Sequence, residues 1–475
     1  MKDMRVCLVN PPYRRSFLAP IPKKLEEASG KYPSLGLGYL AAMLEREGYA
    51  VDYVDMDALD MDHETFEGIV KRLSPDVVGV TTTSSTFGQA REVARIARLA
   101  CPSSFIVIGG HHLSIYPTET LENHVFDAGI QGESDYAVVD LVRALEKRKR
   151  DLSKVPGLVY RDSSGRVVRN DPPPLVKDLD ELPQPAYHLM PIKEYYCVVA
   201  VRHPFMTISS TRGCRYNCFF CYRPYGRLYR MRSPVKVVDE IEYLMKEYGV
   251  KEILFQDEEF TLERKHVMGI CDEIRRRGLD VLWDCRSRVD TVDREMLANM
   301  KAAGCDRIHY GVESGDQATL NKLRKGIRLD QVRRTFALTK EIGITTLGYF
   351  MIGIPGETLE TIRKTLEFSK ELDPKYAQYA VTTAFPGTDL YDLAMKTGVV
   401  DGDVWRKYTL GELDTQPLPY FETREYTSDD LEKMINEAYR SFYLRPSYIM
   451  RRLVKVRTAS ELWHGMKGLA ATLKV

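Results

Sequence analysis

The chain has 475 residues, of which 68 are basic and 67 acidic; that length predicts two to four compact units, and the near cancellation of charge excludes a global field that would recruit nucleic acid or an anionic surface. Nine cysteines at irregular spacing exclude a secreted disulfide framework and point to a reducing, cytoplasmic compartment. Residues 1–10 hold no apolar core of signal-peptide length, and no window approaches about 18 uninterrupted apolar residues, so neither export nor a membrane span is expected.

Residues 1–150 alternate short β-type runs with amphipathic stretches, the pattern of an α/β, doubly wound, Rossmann-like parallel sheet. Strands are expected at 5–10, 51–55, 77–82, 105–109 and 128–131, with helices at 35–47, 64–73, 88–98 and 136–149. In such sheets ligands sit beyond the carboxyl ends of the strands. Those ends are Asn10-Pro11-Pro12, Thr82-Thr83-Ser84-Ser85-Thr86 and Gly109-Gly110-His111-His112, all small or turn-forming. Residues 151–200 turn to Pro, Asp and Ser, a linker with one small hairpin around Ser163-Ser164-Gly165.

A second alternation fills residues 201–400. Six strands are expected, at 206–211, 252–256, 281–285, 307–312, 347–353 and 377–383, each followed by a helix, at 235–248, 262–277, 293–303, 329–342, 359–372 and 389–396. Six βα units are two short of a closed barrel, so an open, partial (β/α)6 barrel is predicted, with its chemistry at the strand C-termini. Residues 401–475 read as a helical C-terminal region. Its tail from Arg440 carries eight Lys or Arg against Glu461, interleaved with aromatic and aliphatic residues such as Phe442, Tyr448 and Trp463. It predicts either a basic helix packed across the open side of the barrel or peripheral contact with the inner face of a membrane.

Directly after the first barrel strand stands Thr211-Arg212-Gly213-Cys214-Arg215-Tyr216-Asn217-Cys218-Phe219-Phe220-Cys221. Three thiolates within eight residues can wrap three corners of a 4Fe-4S cubane and leave the fourth iron open to a substrate. The alternative is a partial zinc site, but closed zinc sites want four ligands in paired spacings and no second C-x2-C follows. Of the other cysteines, Cys7 and Cys285 fall in strands, Cys101, Cys271 and Cys305 near helix ends and Cys197 beside the linker. Buried free Cys packs as a small hydrophobe. Cys285, at a barrel mouth, is kept as a candidate catalytic proton or hydrogen-atom donor.

C-x3-C-x2-C with an aromatic before the last Cys resembles the radical S-adenosylmethionine (SAM) superfamily, and the likeness runs through about residues 206–397. The resemblance implies that Cys214, Cys218 and Cys221 hold the cluster, with Phe220 and Tyr222 beside it. Asp257 and Glu258, in Gln256-Asp257-Glu258-Glu259-Phe260, would lie near the SAM amino group. Arg286 and Arg288 are candidates for its carboxylate. Glu313, with Ser314, would meet the ribose hydroxyls, and the turn at Gly353 and Ile354 would back the adenine. The implied reaction is one-electron cleavage of the sulfonium to methionine and a 5′-deoxyadenosyl radical, which abstracts a substrate hydrogen. A one-electron donor such as flavodoxin or ferredoxin and a small-molecule or lipid substrate would complete it.

A doubly wound domain ahead of such a barrel, with Pro11 in its first turn, Thr82, Thr83, Ser84 and Ser85 in its third, Gly109-Gly110 in its fourth and Glu133 in Gly132-Glu133-Ser134, resembles the cobalamin-binding subclass. The Gly pair would let backbone approach the corrin or its nucleotide tail. No Asp-x-His-x-x-Gly occurs, and Asp62-His63 lacks the spacing, so cobalamin would be bound without a histidine on cobalt. His111 and His112 are expected to have a structural role at the turn. Methyl transfer from methylcobalamin to an unactivated carbon is the reaction the resemblance favours. Oxidation or ring closure without methyl transfer, a vestigial domain with no cobalamin, and a non-catalytic metal scaffold are the alternatives.

Overall fold

The computed structural model describes residues 4–13, 30–147 and 151–455. The first sheet holds β1 (Arg5–Asn10), β2 (Ala50–Asp55), β3 (Val77–Thr82), β4 (Phe105–Gly110), β5 (Ala128–Ile130), β6 (Leu158–Arg161) and β7 (Val167–Arg169). Their order is β2-β1-β3-β4-β5-β6-β7, and the first five are parallel. These five strands have the flavodoxin-like order, whose switch point lies between β1 and β3. The hairpin read in the linker exists, and it joins the sheet: β6 pairs antiparallel with β5, and β7 antiparallel with β6. A short run of alternating residues next to an exposed edge satisfies that edge's unpaired amides, which no local reading of the linker could disclose.

The second unit opens with β8 (Phe205–Ile208), followed by a two-stranded antiparallel ladder of β9 (Thr211–Arg212) and β10 (Arg230–Met231). Then come β11 (Glu252–Phe255), β12 (Leu282–Ser287), β13 (Cys305–Glu313), β14 (Thr345–Ile352) and β15 (Tyr376–Val381). Strands β8 and β11 to β15 form one parallel sheet in the order β15-β14-β13-β12-β11-β8, open between β8 and β15. Thr211 was expected inside the first strand; instead that strand stops at Ile208, because Asp257 captures the amides of Ser210 and Thr211. Helices Pro234–Tyr248, Arg264–Arg277, Arg294–Ala302, Leu329–Ile342 and Leu359–Leu372 pack outside. An unforeseen short helix, Gln317–Lys322, follows β13.

The exposed edge at β15 is covered. Helix Ser428–Tyr443 lays Tyr439 and Tyr443 along it, and the Tyr443 hydroxyl both accepts from Ala377 N and donates to Ala377 O, each at 2.9 Å. The described part of the basic tail continues this packing: Arg445 and Arg451 reach Asp373, and Tyr448 donates to Lys375 O. Residues 456–475, including Glu461 and Trp463, lie outside the described residues. Helix Val404–Leu410 turns back to the first unit, where Trp405, Tyr391 and Leu390 share one apolar core with Val9, Val80 and Ile108. No helix among the described residues is long and apolar enough to cross a membrane.

Candidate active site

The cysteine loop spans residues 213–229 and is pinched by the β9–β10 ladder. Gly213 sits at φ +92°, and a Cβ there would collide with the Leu228 carbonyl oxygen, so this stem closes only with glycine. Cys221 is open to solvent, with Cys214 and Cys218 partly so. Among the described residues no three His, Cys, Asp or Glu close on a single ion position.

Three consecutive acids after β11 divide three ways. Asp257, expected beside a ligand, is instead buried and spent on the stem: its carboxylate accepts from Ser210 N at 2.9 Å, Thr211 Oγ1 at 2.7 Å and Thr211 N. Glu259 braces β11 to β12, accepting from Thr261 Oγ1 at 2.8 Å and Arg288 N at 3.2 Å. Glu258 alone is partly exposed and within electrostatic reach of Cys214 and Cys221, with Oε2 buried and without a hydrogen-bond partner. Burial pushes its carboxyl up to about 7.

On β12 the period of two sorts the residues. Trp283 and Cys285 face the helices; Cys285 is buried in the core that also holds Cys305, which corrects its assignment as a donor at the barrel mouth. Asp284 and Arg286 face the lumen. Arg286 is exposed and donates to Gln256 Oε1 at 2.8 Å. Arg288, at the rim, is held by Asp290 through two bonds of 2.8 Å and by Lys325 O at 2.6 Å, and lies 3.7 Å from the Tyr216 ring centroid. Its Nη1 is buried and unpartnered.

At the end of β13 a register shift falls between Gly311 and Glu313, and Glu313 takes φ +68°. Its Oε1 accepts from Lys325 Nζ at 2.8 Å. Lys325, which sequence reasoning missed, is buried, within electrostatic reach of Cys218 and 5.9 Å from the Phe220 ring. It lies in a loop far from any strand end, the address by which the other candidates were found. Ser314 is fully buried and ties the turn instead, bonded to Thr365 Oγ1 at 3.1 Å. After β14, Gly353 has φ +74°, and Ile354 N donates to Glu357 Oε2 at 2.9 Å.

The carboxyl edge of the first sheet faces the cysteine loop. Tyr222 stands between the units, its ring 5.6 Å from that of His111 and packed over Gly387. Residues 82–86 coil on themselves, with Thr82 Oγ1 donating to Thr83 O. Gly110, at φ +105°, presses on the Thr82 backbone. Ser84, Ser85 and Pro11 are buried, while Thr83 and Gly109 are partly exposed. His112 is structural: it bonds Ser84 Oγ at 3.2 Å and Thr409 Oγ1 at 2.9 Å and stacks on Phe87. Glu133 does not face the edge at all, because Arg230 and the Val176 amide hold both of its oxygens.

An open parallel barrel carrying three cysteines on its first loop, fused to a flavodoxin-like sheet, defines a two-unit α/β protein with a candidate ligand edge on each sheet. The family model described as the radical SAM superfamily matches residues 208–369, and that of the B12 binding domain matches residues 25–142. An uncharacterized methyltransferase of Pyrococcus horikoshii is 36% identical over 455 residues, 95% of each chain. The anaerobic magnesium-protoporphyrin IX monomethyl ester cyclase of Rubrivivax gelatinosus is 29% identical, over 95% of this chain and 80% of its own. The solved structure of the radical SAM methyltransferase TsrM from Kitasatospora setae, with cobalamin and a 4Fe-4S cluster bound, shares the fold at a TM-score of 0.68 and 23% identity, covering 84% of this chain and 79% of that one. This chain belongs to the radical SAM superfamily, among the members that carry a B12 binding domain. It is a radical SAM enzyme, and its two family models imply S-adenosylmethionine, a 4Fe-4S cluster and cobalamin as its cofactors.

Proposed function

We propose that Cys214, Cys218 and Cys221 hold the cluster, that Arg288 and Glu258 receive the carboxylate and ammonium of S-adenosylmethionine, and that the enzyme methylates an unactivated carbon of a small molecule. The observation that carries this reading is a pair of buried orphans beside the thiols: one guanidinium nitrogen and one carboxylate oxygen, neither with a partner. Leaving such groups unpaired costs about 1–3 kcal/mol each, and an amino acid zwitterion supplies both missing partners. Lys325 orients Glu313 toward the ribose; Gly353 and Ile354, expected against the adenine, are buried, and the Ile354 amide and carbonyl are both spent on Glu357, so this turn supports the site from behind. Arg286, deeper in the lumen and bonded to Gln256, is left for the substrate or as a second contact to the carboxylate.

When bound, the cluster and S-adenosylmethionine supply one-electron cleavage to a 5′-deoxyadenosyl radical, and cobalamin supplies the methyl group. The chain's part is to fix the amino acid end by Arg288 and Glu258, to exclude water with Tyr216, Phe220 and Tyr222, and to present the carboxyl edge of the first sheet, including Thr83 and Gly109, to the corrin. A flavodoxin or ferredoxin delivers the electron at the solvent-open face of the cysteine loop. With trideuteromethyl S-adenosylmethionine and cell extract as the substrate source, the expected product is heavier by the labelled methyl group. Ring closure or oxidation without that gain is the second reading, supported by the likeness to the cyclase, and an unlabelled product would establish it.

A further inference from the structure

The loop that carries the three cysteines has a two-strand stem, and each strand contributes one buried arginine. Arg212 and Arg230 are directly paired across the β9–β10 ladder. Among the described residues neither bonds a carboxylate of its own unit. Arg212 makes a bidentate contact with Asp135, at 2.8 and 3.0 Å, and its guanidinium lies between the rings of Tyr39, from the first unit, and Tyr225, from the cysteine loop, 5.3 and 5.2 Å from their centroids. Arg230 grips both oxygens of Glu133 and also donates to Val176 O at 2.7 Å. Arg212, Arg230, Glu133 and Asp135 are all buried. The two acids stand on one turn after β5, at the same carboxyl edge as the turns at 82–86 and 109–112.

We infer that this four-residue clasp is a positioning device, which sets the separation between the cluster and the cobalamin by locking the stem of the cluster loop onto the cobalamin-binding unit. Two bidentate pairs fix distance and angle together, where a single lysine pair would fix only distance. A buried ion pair adds little stability over an apolar pair of similar volume. Its value here lies in its geometry: charge is neutralised only when the stem and the turn meet in one register. Glu133 and Asp135 are therefore positioning residues, their carboxylates spent on Arg230 and Arg212.

The inference rests on the cofactor assignment above, and the test separates the two. In holoenzyme loaded with cob(II)alamin and a dithionite-reduced cluster, two paramagnets relax each other with a steep dependence on distance. The expected result is that Glu133→Leu combined with Arg230→Met, and separately Asp135→Asn, leave both electron paramagnetic resonance signals present but change the relaxation rate of cob(II)alamin several-fold. The double variant is also expected to melt below the wild type, because the Val176 amide and carbonyl lose their partners. Unchanged relaxation in both variants, whatever their melting temperature, would overturn the clasp as a positioning device. Absence of either signal from the wild-type protein would overturn the cofactor assignment, and the clasp proposal with it.

Discussion

Lys325 Nζ lies 2.8 Å from Glu313 Oε1, and both side chains are buried where β13 ends. The contact joins the loop after helix Gln317–Lys322 to a carboxylate held at positive φ, and it brings a cation within reach of Cys218.

Removing that cation strands the carboxylate. Lys325→Met is expected to destabilise the protein by about 3 kcal/mol, the cost of breaking one side of a buried pair, and Lys325→Met with Glu313→Gln to recover most of it. Urea unfolding of the two variants measures the difference. An additive loss in the double variant would show that the two residues act separately.

Glu357 yields a pH dependence. Burial pushes its carboxyl up to about 7 from the usual 4.5, against the lowering effect of the Ile354 and Gly353 amides, and its Oε1 has no partner. The folded state thus binds this proton more tightly than the unfolded state, so the stabilisation is complete below pH 4.5 and is lost as pH rises through about 7. Glu357→Gln removes the dependence. The variant is expected to exceed the wild type by up to about 3 kcal/mol at pH 8 and to match it near pH 4.5. Denaturation at the two pH values checks this, and an equal difference at both would refute it.

Gly213→Ala places a methyl group against the Leu228 carbonyl at a backbone angle that alone costs about 1–3 kcal/mol in a non-glycine residue. Because the strain falls on the stem, iron content after anaerobic reconstitution is expected to drop more steeply than the melting temperature.

Cys285→Ala is expected to cost about 1–2 kcal/mol of packing and to leave S-adenosylmethionine cleavage intact, since the thiol faces the core side of β12. Loss of 5′-deoxyadenosine formation in a folded Cys285→Ala protein would restore Cys285 to the mechanism.

Much of this was legible in the sequence because strand alternation and cysteine spacing are local. The open six-stranded barrel and the five parallel strands before it follow from periods of two and 3.6, and the candidate residues at the strand ends from the family resemblance. What escaped depends on contacts between distant residues. Nothing near Glu133 announces an arginine 97 positions later. Nor does the run Asp257-Glu258-Glu259 reveal that the first acid closes a loop stem, the second stays partly exposed within reach of the thiols and the third braces a strand, because that division follows from how β8, β11 and β12 end together. Lys325 was hidden for the same reason: its partner is fixed by tertiary contact, and a lysine in a loop is ordinarily solvated. Cys285 was misread by one position of alternation, enough to turn a side chain from the lumen to the core.

The central claim is that three thiolates leave one iron of a cubane free. Iron and sulfide analysis with Mössbauer spectroscopy on oxygen-free protein tests it directly. About four irons and four sulfides per chain, with one iron site distinguished by adding S-adenosylmethionine and all of it lost in Cys218→Ala, is the predicted result. Stoichiometric zinc with no labile sulfide would contradict it.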